Sequence, residues 1–357
     1  MRKILVIKLR HHGDVLLTTA VYKALKDALP HAEVDALVYK ETLPLLRNNP
    51  HLHDTLVIDR GLKGWARIKT ELGLILRVRR GRYDAVIHLT DQWSGALIAA
   101  WSKAPIRVQM AFAKRDTPLW HACFTHKVTP PPRGQAHAVE LNLLTLQPLG
   151  LKEAAAGARP VLVPGQTELD KARGLLHEAG IRGAFVLIHP AARWPFKCWE
   201  DEQFAQVIAH LMGKGLHVVL TCSPDPVELA MTRRIETLAR DLVDEQGLSV
   251  LVNWGGQMSL PLLAALLQLS TYYVGVDSAP MHMAAALDKP QVALFGPSWV
   301  NEWRPYSNHA TVIWAGDYGP LPHPDSINTD DTTRLLKAIP VSAVVEAVDR
   351  MLDKHPA

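Results

Sequence analysis

The sequence predicts an α/β protein made of two doubly wound parallel-sheet domains. Three observations predict it. Short apolar runs alternate with longer amphipathic stretches along the whole chain. The alternation halts in a proline-rich stretch and restarts near residue 185. The length, 357 residues, is long for one domain and comfortable for two.

In the first half the strands are expected at "KILVIKL" (3–9), "VDALVY" (34–39), "TLVID" (55–59), "AVIHL" (85–89) and "IRVQM" (106–110). These are apolar runs bounded by turn residues, as strands buried on both faces of a parallel sheet should be. Amphipathic stretches such as 62–80 supply crossover helices. Prolines make 128–135 a loop, a helical stretch follows over 136–150, and 151–166 reads as the interdomain connection. The second half repeats the scheme with strands at 185–190, 217–222, 249–254, 272–277 and 291–297, and with helices over 200–214 and 260–269. This gives a first domain over 1–165, a second over 166–340, and a final helix (341–353, within a 341–357 tail) that packs back on either domain.

Hydrophobic residues make up 48% and charged residues 21% of the chain, the balance of an ordinary soluble protein with a large core. Cys123, Cys198 and Cys222 are scattered and form no CxxC pattern. That argues against a disulfide framework or a zinc site and fits a reducing compartment, the cytoplasm. The N-terminus reads as a first strand rather than a signal peptide, and no apolar run is long enough to span a bilayer. The net charge of +4 hides an asymmetry. Residues 1–165 carry 24 Lys and Arg against 13 Asp and Glu, so the first half is strongly basic and the second acidic. Either the first half has a solvated basic surface or it meets an anionic partner.

Open α/β sheets bind ligands beyond the carboxyl ends of their strands, so the chemistry is sought in the loops there. After 272–276 comes "DSAPMHMAAAL". Asp277 or Ser278 can cap a helix, and Pro280 suits its first turn. The N–H groups there can hold an anion, with His282 either donating to a phosphate or facing solvent. The loop "AARWPFKCWE" (191–200) brings Lys197, a compact charge suited to phosphate, and Trp199, expected in the core. "NWGGQMSL" (253–260) offers two glycines for close ligand approach and Met258 to pack on a flat ring. "FGPSWVNEWRPYS" (295–307) is a fourth such loop. Together they suggest a nucleotide-diphosphate site, without a dinucleotide fingerprint or a P-loop. In the first domain, "KLRHHGDVLLTTAV" (8–21) places His11, His12, Gly13 and Asp14 where the first strand gives way to a helix. Gly13 permits a turn with positive φ or a close ligand approach. Asp14 either caps a helix beginning near Val15 or serves as a general base. His11 and His12 orient a sugar or phosphate, or are structural.

The pairing of "HHGDVLLTTAV" with "VGVDSAPMHMAAALDKPQVALFGPS", supported by "GRYDAVIHL" and "QAHAVELNL", resembles family 9 glycosyltransferases, the bacterial lipopolysaccharide core heptosyltransferases. The His-His before Gly-Asp is most similar to the third heptosyltransferase of that series. The resemblance implies a GT-B architecture, two Rossmann-like domains facing across a cleft, with donor bound by the second and acceptor by the first. It implies ADP-L-glycero-β-D-manno-heptose as donor and the phosphorylated heptosyl-Kdo-lipid A inner core as acceptor, with no nucleic acid and no cofactor. The family's donor contacts carry over to Lys197, Met258, Asp277, Ser278, Ala279 and His282, with Gly13 close by, and its catalytic base to Asp14. Ala279 departs from the glycine frequent in relatives, and "AARW" from their hydroxyl residues. For the acceptor, His11, His12, Arg60, Lys63, Arg67, Lys114 and Arg115 are the candidates, and the same basic face suits the inner leaflet of the membrane. With no Asp-x-Asp pattern in the loops, no metal is expected. Two other readings stay open: a nucleotide-sugar epimerase of the same architecture, and a noncatalytic nucleotide-sugar or lipid-A-core binding module in which Asp14 only caps its helix.

Overall fold

The structure, a computed structural model, describes residues 1–243 and 249–356. The chain forms two compact units, Met1–Leu162 and Val163–Ala357.

In the first unit the strands are β1 (Lys3–Lys8), β2 (Glu33–Tyr39), β3 (Asp54–Ile58), β4 (Ala85–His88), β5 (Ile106–Met110) and β6 (His126–Val128). All pair in parallel, in the order β3-β2-β1-β4-β5-β6. The helices are α1 (His12–Ala28), α2 (Gly64–Arg80), α3 (Trp93–Ser102), α4 (Pro118–Ala122), α5 (Ala138–Leu144) and α6 (Lys152–Ala155). One face of the sheet packs Leu5, Ile7, Leu37 and Val86 against Leu74 and Val78 of α2, Ala96 and Ala99 of α3 and Trp120 of α4. Helix α1 instead packs with α5 and α6. Ile4–Ile7 of β1 are wholly buried, which is why that strand reads as one apolar run instead of an alternation.

The second unit holds β7 (Phe185–His189), β8 (His217–Leu220), β9 (Leu251–Asn253), β10 (Tyr272–Val276), β11 (Gln291–Phe295) and β12 (Ala310–Trp314). Its parallel sheet runs β12-β11-β10-β7-β8-β9. Read from β9, this is the strand order of the first unit over again. The helices are α7 (Gln166–Glu178), α8 (Asp201–Gly213), α9 (Pro226–Asp241), α10 (Leu260–Leu269), α11 (Ala279–Ala286), α12 (Val300–Trp303) and α13 (Val341–Lys354). Asp225 caps α9 by accepting from the Val227 N–H at 2.9 Å, with Pro226 in the first turn, a combination that starts a helix cleanly. Val344, Ala347, Val348 and Met351 line the buried face of α13 and join the core of the second unit, at the spacing an amphipathic helix requires.

In each sheet the strand order reverses once, between β1 and β4 and between β7 and β10. These switch points open a crevice at the carboxyl ends of the strands, where ligands bind in this class of fold. Two edge strands, β6 and β12, went unpredicted. β6 has only three residues, two of them exposed, and β12, although its residues are largely apolar, is only partly buried. The stretch 136–150 is not one helix: α5 ends at Leu144 and a 3₁₀ turn covers Gln147–Leu149, as Pro148 demands. No helix among the described residues is long and apolar enough to cross a membrane.

Candidate active site

At the switch point of the first unit the structure corrects the sequence reading in two ways. Helix α1 begins at His12, with exposed His11 in the cap position, so Asp14 lies inside the first turn and is not the cap. Gly13 lies in the helix and not among the glycines of positive φ, so no left-handed turn explains it. The helix dipole favours a carboxylate where Asp14 sits. Asp14 Oδ1 also lies 3.7 Å from Lys8 Nζ. Lys8 is the last residue of β1 and is buried, with the Leu89 carbonyl and Asn142 Oδ1 each at 3.4 Å. Burial pushes the Lys8 ammonium below its usual value, and the Asp14 carboxylate counters it. The result is a half-exposed carboxylate at the mouth of the crevice, held against a buried cation.

Beside it, the loop after β4 carries Asp91, a buried carboxylate facing Arg10 at 3.1 Å and ion-paired with Lys114. Arg115 Nε donates to the Asp91 carbonyl at 2.8 Å. Burial alone would raise the Asp91 pKa, but Lys114 and Arg10 outweigh it and hold the carboxyl below its usual value. Lys114 and Arg115 thus belong to the crevice. His12 Nε2 lies 3.1 Å from the Glu41 carbonyl, and Arg60 pairs with the Glu41 side chain and covers the Tyr39 ring at 4.4 Å. Lys63 lies in the loop between β3 and α2, directly before that helix, and Arg67 in the first turns of α2 pairs with Glu71 at 2.8 Å.

In the second unit the loops after β7, β10 and β11 converge. Lys197 Nζ donates to Asp277 Oδ2 at 2.5 Å, and Ser298 Oγ donates to the same oxygen at 2.7 Å. Asp277 is buried. Burial would raise its pKa, but Lys197 and then Ser298 overcome that and leave it below the usual range. Ser298 went unnoticed in the sequence; its place just after "LFGP", at a strand's carboxyl end, was the available signal. Ser278 takes the cap position of α11, yet its hydroxyl makes no capping bond, so the first-turn N–H groups of Ala279 and its neighbours are not satisfied by that side chain. His282 is buried in the same helix, edge-on to Trp303 at 6.5 Å, and does not face solvent. Trp199 is core, as expected, its indole N–H donating to the Ile339 carbonyl at 3.1 Å.

Met258 sits half-buried after β9. The two glycines before it serve packing. Gly256 has φ +73°, and a Cβ there would meet Leu229 of α9 at 2.9 Å; a Cβ on Gly255 would meet the Cys222 sulfur at 2.8 Å. They fit the turn closely against its neighbours. Among the described residues no cluster of three His, Cys, Asp or Glu could hold a metal ion.

Residues 72–331 match the model of glycosyltransferase family 9 (heptosyltransferase). The chain belongs to glycosyltransferase family 9. It is 34% identical over 345 residues to lipopolysaccharide heptosyltransferase 3 of Escherichia coli K12, covering 96% of both chains. It is 28% identical over 316 residues, 87% of both chains, to lipopolysaccharide heptosyltransferase 2 of Salmonella typhimurium. In fold it is similar to the family 9 glycosyl transferase of Veillonella parvula, with a TM-score of 0.82, 23% identity and coverage of 99% of this chain and 97% of that one. Against the E. coli ADP-heptose heptosyltransferase II the TM-score is 0.75 at 21% identity, over 99% of this chain and all of that one. Membership makes the chain a glycosyltransferase and removes the binding-module and epimerase readings. Each of the two polar clusters lies at the switch point of its own sheet.

Proposed function

We propose that this family 9 glycosyltransferase moves L-glycero-D-manno-heptose from ADP-L-glycero-D-manno-heptose to the inner-core heptose of phosphorylated heptosyl-Kdo-lipid A, in the cytoplasm at the inner leaflet. The observation that carries the reading is Asp14 held against Lys8 at the first switch point, in a chain similar over nearly its whole length to lipopolysaccharide heptosyltransferases.

The reaction is a single inverting displacement. Asp14 takes the proton of the acceptor hydroxyl. The acceptor oxygen then bonds to the anomeric carbon as the bond from that carbon to the ADP oxygen breaks, through an oxocarbenium-like state by analogy with glycoside hydrolysis. The departing diphosphate carries the electron pair. Its charge is offset by Lys197, His282 and the N–H groups at the start of α11, so the charge balance uses no divalent cation and no cofactor. Asp277 holds Lys197 in place and is itself fixed by the Ser298 hydroxyl. Arg10, Lys114 and Arg115 suit the acceptor's phosphates.

The test is to incubate the protein with ADP-heptose, with and without delipidated core acceptor, and follow ADP and acceptor mass. Acceptor-dependent ADP release with a gain of one heptose is expected. Turnover of a different nucleotide sugar in preference to ADP-heptose would overturn the donor assignment, and heptose transfer to an acceptor lacking the inner core would overturn the acceptor.

A further inference from the structure

The outward face of α2 does not look like a solvated helix surface. Leu74 and Val78 bury its inner face. On the opposite side Trp65, Ile68, Leu72 and Leu76 are all exposed, Trp65 at 82%. Their spacing of three, four and four residues sets them in one stripe along the helix. Lys69, Arg79 and Arg80 interleave with that stripe, and no acidic residue does. Arg67 and Arg77 on the flanks pair with Glu71 and Asp54; Lys69, Arg79 and Arg80 have no ion-pair partner among the described residues. Scattered single apolar residues on a surface mean nothing, but a contiguous stripe does.

The stripe continues onto neighbouring helices. Helices α2, α3 and α4 cover the same face of the sheet, with one core beneath them. Leu97 and Trp101 of α3, one turn apart, are exposed, and so is Leu119 of α4. At the carboxyl end of α2, Leu76 also lines a surface groove of about 690 Å³ whose other walls include Arg79, Arg80, Arg82 and Lys103. The acid of that groove, Asp84, is engaged by the backbone N–H groups of Arg2 and Lys3. Arg82 and Lys103 have φ of 49° and 56°, where glycine is the ordinary choice. Cations stand there instead.

We infer that the outer face of α2 and α3, with the Arg79–Arg80–Arg82–Lys103 groove at its end, is a docking surface for an anionic lipid bilayer. A lengthwise apolar stripe with tryptophan, bordered by unpaired cations, is the composition of a helix lying in a membrane interface. The groove supplies the complementary charge for phosphate headgroups, and Leu76 makes groove and stripe one surface. Cations beside a bilayer add their attraction to the burial of the apolar side chains. The inference deepens the proposed function, since a lipid-linked acceptor is met at a bilayer. Its test reads vesicle binding and not turnover, so the two readings fail separately.

The experiment is co-sedimentation of the full chain with phosphatidylcholine vesicles, with and without phosphatidylglycerol, at low and high salt. Three variants accompany the native chain: Trp65→Ser with Leu72→Glu, Arg79→Gln with Arg80→Gln, and Val227→Glu as an exposed apolar control on α9. All replace exposed side chains, and circular dichroism melts check that each stays folded. The native chain and Val227→Glu should bind the anionic vesicles and release them as salt rises. The Arg pair should weaken binding on the order of tenfold, and the Trp65 and Leu72 pair by at least as much. Native protein that ignores anionic vesicles, or folded variants that bind as tightly as it does, would overturn the proposal. So would a concentration-dependent dimer that Leu72→Glu dissolves while vesicle binding is absent, because the stripe would then serve a second copy of the chain.

Discussion

A single carboxylate decides whether the first crevice is a place of chemistry. Asp14 is not needed to cap α1, since the helix starts two residues before it. It sits half-exposed with Lys8 on one side. Asp14→Asn keeps the shape and takes away the base. The expected outcome is a folded protein that binds ADP-heptose normally and loses ~10²–10⁴-fold in turnover, the usual worth of general acid–base catalysis. Single-turnover kinetics, with chemistry limiting, make the measurement; near-native rates would return Asp14 to a structural role opposite Lys8. Lys197 gives the matching case in the second unit. Its ammonium is held by Asp277, and the proposed function has it offset the donor's diphosphate as well. Lys197→Ala should weaken ADP-heptose binding or slow the chemical step by one to two decades, the scale of a hydrogen bond worth roughly 1.5–3 kcal/mol. It should leave acceptor KM unchanged. Calorimetric titration with ADP and steady-state kinetics separate those effects, and an acceptor KM that rises alone would contradict the donor assignment. The site residues that the sequence showed were those at strand-to-helix junctions marked by turn formers: Lys197 and Asp277 in the loops, and Asp14 and His282 in the first turns of α1 and α11. Lys8 and Asp91 were not legible. One reads as the end of a strand and the other as a loop acid, and only the β1–β4 pairing brings their neighbours together.

At the scale of elements, the inner strands were legible because burial on both faces leaves an unbroken apolar run. The edges were legible in part: β3 and β9 carry apolar runs, whereas β6 is three residues long with two of them exposed and β12, although apolar, is only partly buried. Glycines were legible as turns but ambiguous in purpose. Gly256, after β9, has φ +73° and faces Leu229, so Gly256→Ala should destabilise the second unit by about 1–2 kcal/mol. Gly73, within α2, has open space around it, so Gly73→Ala should stabilise that helix by up to ~1 kcal/mol. Urea midpoints of the two variants, moving in opposite directions, are the check. The end of β7 carries a second prediction. Burial lowers His189 from its ordinary 6.5 to about 4, and its Nδ1 lies 3.0 Å from Thr221 Oγ1. The unfolded chain therefore binds the proton more readily than the folded one between those values. Stability should fall as pH drops from about 6.5 towards about 4, by up to ~1.4 kcal/mol per pH unit from this residue. In His189→Gln that slope should shrink in urea titrations across the window; an unchanged slope would place the acid sensitivity elsewhere.

For the molecule as a whole, the proposed division of tasks between the two units follows their charge. The surplus of Lys and Arg lies in residues 1–165 and the surplus of Asp and Glu in the rest, an asymmetry that the fold turns into two surfaces with different exposure. In the first unit Arg60 and Lys114 stand exposed around the crevice. In the second, Lys197 and Asp277 are largely withdrawn from solvent. Screening acts on exposed charges far more than on buried ones, and the Debye length falls from about 10 Å at 0.1 M salt to about 3 Å at 1 M. Raising salt across that range should therefore raise acceptor KM more steeply than donor KM, measured with a delipidated acceptor so that vesicle binding plays no part. EDTA should leave the rate unchanged, because Lys197, His282 and the α11 N–H groups are assigned the charge that a cation would otherwise offset. A rate that collapses in EDTA and returns with magnesium would put a metal on the diphosphate. A donor KM that climbs faster than the acceptor's would assign the basic unit to the nucleotide sugar, and with it reverse the division of labour between the two sheets.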